Sequence, residues 1–117
     1  MNKVYYLSSC STCTKIMKNL DLSNFEKQDI KKDKITEEQL NEMFKLAGSF
    51  ENLFSKRSMK YRVWRLNETL LSEEEMQHYI LKEYTFLKRP VFIIGDKIYI
   101  GNSKKIVEEL KQTLLTK

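Results

Sequence analysis

The sequence predicts an α/β fold: a mixed four-stranded sheet flanked by helices, with a helical subdomain inserted in the middle. Short apolar-alternating runs lie near both ends of the chain, and apolar residues recur at helical spacing through its centre. The order of these runs is β-α-β, then helices, then β-β-α. With 117 residues the chain is read as one domain.

Lys3 to Leu7 reads as the first strand. Ser11 to Leu20 is a helix, because Cys13, Ile16, Met17 and Leu20 fall on one face. Phe25 to Ile30 is a second strand. Thr36 opens a helix with a capping box, Thr36-x-x-Gln39, in which each side chain satisfies an orphan N–H of the first turn. Its apolar face is Leu40, Met43, Phe44 and Ala47, and Gly48 is the expected stop. A short helix is expected over Ser49 to Phe54, followed by Lys56-Arg57-Ser58 and a helical stretch to Leu66. Trp64, with Tyr61 and Arg62, reads as helix packing rather than a base-stacking platform. Ser72-x-x-Glu75 is a second capping box, for a helix buried along Met76, Tyr79 and Ile80. Glu73, Glu74 and Glu75 suit that helix's positive end. Val91-Phe92-Ile93-Ile94 and Lys97-Ile98-Tyr99-Ile100, joined by Gly95-Asp96, make a hairpin. Ser103 caps a last helix with Ile106, Val107, Leu110 and Leu114 inward. This order is the thioredoxin-like arrangement. The sheet part takes about 1–34 and 86–117, and the helical insertion about 35–85.

Composition bounds the function. Hydrophobic residues at 41% supply a core, and no run approaches the roughly 18 apolar residues of a membrane span. No membrane association is therefore expected. The polar residues Ser8 and Ser9 follow too soon for a signal-peptide apolar region, so a cytoplasmic location is expected. In that compartment a disulfide is transient, catalytic or sensing rather than structural. The +5 net charge, from 21 basic and 16 acidic residues, is a mild bias, and direct nucleic-acid binding is not expected. No Gly-rich phosphate loop and no Ser-His-Asp set can be assembled. A structural zinc normally needs four N or S ligands. The chain offers two cysteines and one histidine, His78, on the polar side of its helix, so no metal is expected.

All of the cysteine lies in Cys10-Ser11-Thr12-Cys13, at the seam between a strand and a helix. Thiols three positions apart can close a disulfide with little backbone movement. Helix N-terminal amides and the helix dipole favour a thiolate at Cys10, the candidate nucleophile. Thr12, Cys13 and Thr14 would supply those amides. Cys13 shares the apolar stripe of Ile16 and Met17, which suits either a small core residue or a shielded resolving thiol. Arg57 and Arg89 can each fork two donors onto an oxyanion, although spacing alone favours reading them as two surface cations. Pro90 opens a strand, where its missing N–H costs no ladder bond.

The strand leading into Cys10-Ser11-Thr12-Cys13, the Lys56-Arg57-Ser58 segment and Leu87-Lys88-Arg89-Pro90-Val91-Phe92-Ile93 resemble the ArsC/Spx family from Val4 to about Leu114. That family holds glutaredoxin-linked arsenate reductases and redox-sensing regulators that bind RNA polymerase. The resemblance implies a thioredoxin-like fold, Cys10 as nucleophile and Cys13 as resolving thiol. It implies oxyanion binding by Arg57, Arg89 and the Thr12 segment, and a cis Pro90 lying against the active cysteine. It also implies no bound cofactor, with glutathione, glutaredoxin or thioredoxin as electron donor. The reductases carry a third arginine on or just after the last strand, where this chain has Gly101. One charge-assisted oxyanion contact is thus absent, on the order of 1.5–3 kcal/mol. The regulators share a CxxC and a glycine near that strand, but often have a basic residue after the second cysteine, where Thr14 stands here. An arsenate reductase-like oxidoreductase acting on a small oxyanion or a disulfide is the leading expectation. A regulator switching through Cys10–Cys13 is the alternative.

Overall fold

The computed structural model describes residues 2–115. The elements in chain order are β1 (Asn2–Tyr6), α1 (Ser11–Lys18), β2 (Glu26–Asp29), α2 (Glu37–Ala47), α3 (Met59–Val63), α4 (Glu73–Lys82), β3 (Val91–Ile94), β4 (Lys97–Ile100) and α5 (Lys104–Leu115). Single 3-10 turns at Leu66–Glu68 and Tyr84–Phe86 flank α4. The residues form two compact units. One runs up to Asp33 and resumes at Arg89; the other is Lys34–Lys88.

The first unit holds the sheet, in the order β2-β1-β3-β4. β1 and β2 are parallel, so a crossover must join them, and α1 provides it. β3 runs antiparallel to both β1 and β4. Gly95 sits at φ +61 at the first central position of the β3–β4 turn, a conformation that favours glycine. The register pairs Val4 with Phe92 and Phe92 with Tyr99, placing all three on one face of the sheet. Together with Leu22, Ile94 and Leu110 they form a buried cluster. Ile16 and Met17 of α1 and Ile106 and Leu114 of α5 pack against it. Phe25 meets Phe92 edge-on at 6.0 Å, the geometry that aromatic quadrupoles prefer. Tyr99 keeps its hydroxyl satisfied by Thr113 at 2.7 Å. On the opposite face Tyr5, Val91 and Ile93 are buried as well.

In the second unit both capping boxes are present, at Thr36/Gln39 and Ser72/Glu75. Gly48 ends α2 at φ +90, where a Cβ would be strained. Phe54, Phe86, Tyr79 and Trp64 form an aromatic cluster, with Phe54 stacked on Phe86 at 5.2 Å. Trp64 therefore packs, as its sequence context predicts, and His78 is exposed.

Several boundaries differ from the expected ones. β1 starts and ends one residue early, because Leu7 turns its carbonyl to the N–H of Cys10. β2 is four residues rather than six, and α1 ends at Lys18 rather than Leu20. The helix expected over Ser49 to Phe54 is a series of turns. There the Glu73 carboxylate accepts the N–H groups of Phe50 (2.6 Å) and Glu51 (3.1 Å), and Phe54 enters a bridge with Leu87. The helical stretch to Leu66 is broken at Arg65, whose φ of +59 ends α3 after five helical residues and the Trp64 cap.

Candidate active site

β1 runs straight into the site. Leu7 and Cys10 close a turn through a 3.0 Å bond from the N–H of Cys10 to the carbonyl of Leu7. Cys10 then takes the N-cap position of α1, with extended backbone angles of φ −92 and ψ 110. An N-cap side chain lies beside the N–H groups two and three residues on, the first-turn donors that have no intrahelical partner. As a neutral thiol Cys10 makes no capping hydrogen bond. Ionised, its sulfur becomes the acceptor for the N–H groups of Cys13 and Thr12. α1 carries no acid in its first turn to oppose that charge.

Both cysteines are free thiols, Cys10 half-buried and Cys13 fully buried. Partial burial alone would raise the Cys10 pKa. It is outweighed by the Cys13 N–H, the Cys13 thiol, the Thr12 N–H and the Arg89 guanidinium, which together hold it below 9.0. Cys13 goes the other way. Burial pushes it up to about 12, and the Cys10 sulfur adds to the rise through a hydrogen bond and through its charge. A bond with the Leu7 backbone and the field of Arg89 act against the rise without cancelling it. The outcome is an asymmetric pair. Cys13 keeps its proton and donates it toward a Cys10 thiolate.

The structure thus brings Cys10, Cys13, the Thr12 backbone and Arg89 together in the first unit. The Thr12 side chain itself is exposed. Arg89 is half-buried and immediately precedes β3; its peptide bond to Pro90 is cis, and Pro90 is buried. Arg57 belongs to the second unit, exposed on the segment ahead of α3, with its backbone N–H 3.4 Å from Ser55 Oγ. Gly101 follows β4 at φ +90, and its N–H donates to the carbonyl of Pro90 at 2.9 Å. Among the described residues no group of three or more His, Cys, Asp or Glu side chains could hold a metal ion. Among the described residues, too, no helix is long and apolar enough to cross a membrane.

One feature of the site escapes sequence reasoning. Ser8, in the turn before Cys10, donates its hydroxyl to Asp29 Oδ2 at 2.5 Å. The two lie 21 positions apart, and only the parallel register of β1 and β2, which pairs Tyr6 with Asp29, brings them together. No motif or spacing signals such a contact.

Comparison with known proteins agrees with this architecture. The chain is 28% identical over 110 residues to protein YusI of Bacillus subtilis (strain 168), covering 90% of this chain and 93% of that one. A protein of Staphylococcus aureus COL solved by solution NMR is 29% identical and superposes with a TM-score of 0.73, covering 93% of this chain and 97% of the other. The arsenate reductase from Vibrio cholerae shares the fold at 15% identity, with a TM-score of 0.72 and 95% of each chain covered. The model of the ArsC family matches residues 5–110, nearly the full length, and this chain, with its thioredoxin-like mixed sheet and CxxC helix entrance, belongs to the ArsC family.

Proposed function

We propose that this chain is a thiol–disulfide oxidoreductase of the arsenate reductase type, with Cys10 as nucleophile and Cys13 as resolving thiol. One observation carries the reading: Cys10 stands at the N-cap of α1, where the first-turn N–H groups favour its thiolate, while Cys13 in that same turn is fully buried and keeps its proton. Against a disulfide R–S–S–R′, the Cys10 thiolate forms a Cys10–S–S–R bond and releases R′S⁻. Cys13 then attacks the Cys10 sulfur, its proton passing to the departing RS⁻, and the Cys10–Cys13 disulfide results. Against arsenate, Cys10 displaces water to form a sulfur–arsenic bond. Attack by Cys13 on the Cys10 sulfur then forms the Cys10–Cys13 disulfide and breaks the sulfur–arsenic bond; its electron pair stays on arsenic, which leaves as arsenite, As(III), with the Cys13 proton on its oxygen. Either way two electrons come from the cysteine pair, and an external thiol of the glutathione, glutaredoxin or thioredoxin class restores it.

The asymmetry also times the second step. Two of the influences that hold Cys13 protonated come from the Cys10 sulfur. Once Cys10 carries an adduct its charge and its acceptor are gone, while Arg89 remains to favour the Cys13 thiolate. Cys13 thus becomes more acidic at the stage when it must attack. Arg89, whose guanidinium already favours both thiolates, would hold the negative charge of an oxyanion.

Gly101 supports a second reading, a redox-switched regulator that binds RNA polymerase. At φ +90 it suits glycine and not the third arginine of the reductases. A coupled assay separates the two. Substrate-dependent NADPH oxidation through glutaredoxin or thioredoxin, abolished in Cys10→Ser, is the expected result for arsenate or a small disulfide. Absence of turnover with every donor, together with disulfide-dependent capture of RNA polymerase, would replace the enzyme reading with the regulator.

A further inference from the structure

We infer that Asp29 is a positioning residue for Cys10: its carboxylate clamps Ser8 and so fixes the turn from which the nucleophile projects. This rests on the reading of Cys10 as the reactive thiol. Cys10 hangs on the Leu7–Cys10 turn, closed by a single 3.0 Å backbone bond, with Ser8 and Ser9 exposed at its two central positions. An exposed two-residue tip has little packing to hold it, and Asp29 supplies the restraint instead. Oδ2 accepts the Ser8 hydroxyl at 2.5 Å.

The clamp has its own anchor. Asp29 ends β2 in register with Tyr6, and the next residue continues the ladder through a 2.9 Å bond from the Ile30 N–H to the Tyr6 carbonyl. Its Oδ1 accepts the Lys31 N–H at 3.2 Å, and its carbonyl accepts Asp33 at 2.8 Å and Lys32 at 3.1 Å. The carboxylate is therefore seated by the strand end and by the first turn beyond it. Charge-assisted bonds of this kind are the stronger class of hydrogen bond. The Cys10 thiolate depends on its sulfur meeting the Thr12 and Cys13 N–H groups, and a loosened turn lets that alignment lapse.

Positioning and simple charge predict opposite outcomes. If Asp29 acted only as a nearby negative charge, removing it would lower the Cys10 pKa. If it positions the turn, removing it raises that pKa. The test is the rate of Cys10 alkylation by iodoacetamide against pH, with the labelled site read by peptide mass. The proteins compared are the parent, Asp29→Ala, Ser8→Ala, the double variant and Asp29→Asn. We expect Asp29→Ala and Ser8→Ala to move the Cys10 profile up by roughly half a unit or more, about a threefold loss of reactive thiolate at neutral pH. The double variant should match Asp29→Ala, since both changes release the same clamp. Asp29→Asn, which keeps an acceptor for the hydroxyl, should recover part of the loss. A parent whose Cys10 titrates as an ordinary thiol would overturn the oxidoreductase reading itself. A reactive parent whose profile stays put or moves down in Asp29→Ala overturns the positioning role alone, as would single effects that add. Should Asp29→Ala fail to fold, Ser8→Ala, a change at an exposed site, decides the matter in the same way.

Discussion

Removing the buried sulfur, in a background that lacks Cys10, isolates what burial does to Cys13. The pair to compare is Cys10→Ala and Cys10→Ala/Cys13→Ala. Cys13 is fully buried, and its pKa is held up at about 12, with burial the largest cause. Without Cys10 the hydrogen bond and the charge from that sulfur are lost, so the value falls but stays raised by burial. A raised pKa means that the folded state keeps a proton which the unfolded state gives up first. The stability Cys13 contributes is therefore complete below 9.0, the ordinary cysteine value, and declines as pH rises toward the folded value. Within that window the slope approaches about 1.4 kcal/mol per pH unit. Deleting the sulfur instead leaves a small void, costing about 1 kcal/mol at any pH. At pH 7 the single variant should thus be the more stable by about 1 kcal/mol. The gap should close within roughly one unit above 9.0 and then invert. Urea midpoints at pH 7, 9 and 10.5 measure it, and titrations of lysine and tyrosine, common to both proteins, cancel. A gap that stays constant over that range would refute the shielded thiol.

Other outcomes follow from single contacts. Arg89→Ala removes the guanidinium that favours both thiolates, so Cys10 alkylation at neutral pH should slow roughly twofold to tenfold, and any protection by arsenate or phosphate should vanish. Glu73→Ala leaves the N–H groups of Phe50 and Glu51 without their carboxylate and should cost about 1–3 kcal/mol, read as a drop in thermal midpoint with Cys10 reactivity unchanged. Gly101→Ala should cost roughly 1–3 kcal/mol although nothing lies within 4 Å of the added Cβ, because the strain comes from φ +90 rather than from contact. A loss no greater than a few tenths would mean that the backbone there relaxes.

Much of this molecule is legible in its sequence because the cues are local and strong. Two capping boxes, the Gly48 stop and the Gly95-Asp96 hairpin each follow from a few adjacent residues, and all are present. The CxxC at the strand–helix seam is equally local, and its position at the N-cap gives the asymmetry of the two thiols a direct cause. What was not legible depends on partners distant in sequence. Nothing near Ser49–Phe54 says that a carboxylate 23 positions on will take the Phe50 N–H and hold turns where apolar spacing suggests a helix. Arg65 at φ +59 likewise cuts short a segment whose composition is sound for a helix. The Ser8–Asp29 contact arises from strand register alone.

A half-buried attacking sulfur backed by a fully buried resolving one should declare itself when reduced protein is followed after one equivalent of oxidised glutathione. Quenched samples mapped by mass should show glutathione on Cys10 first, then its release with formation of the Cys10–Cys13 disulfide; Cys13→Ser should stop at the Cys10 adduct. Glutathione accumulating on Cys13, or a Cys10 adduct that persists in the parent as long as in Cys13→Ser, would contradict the account.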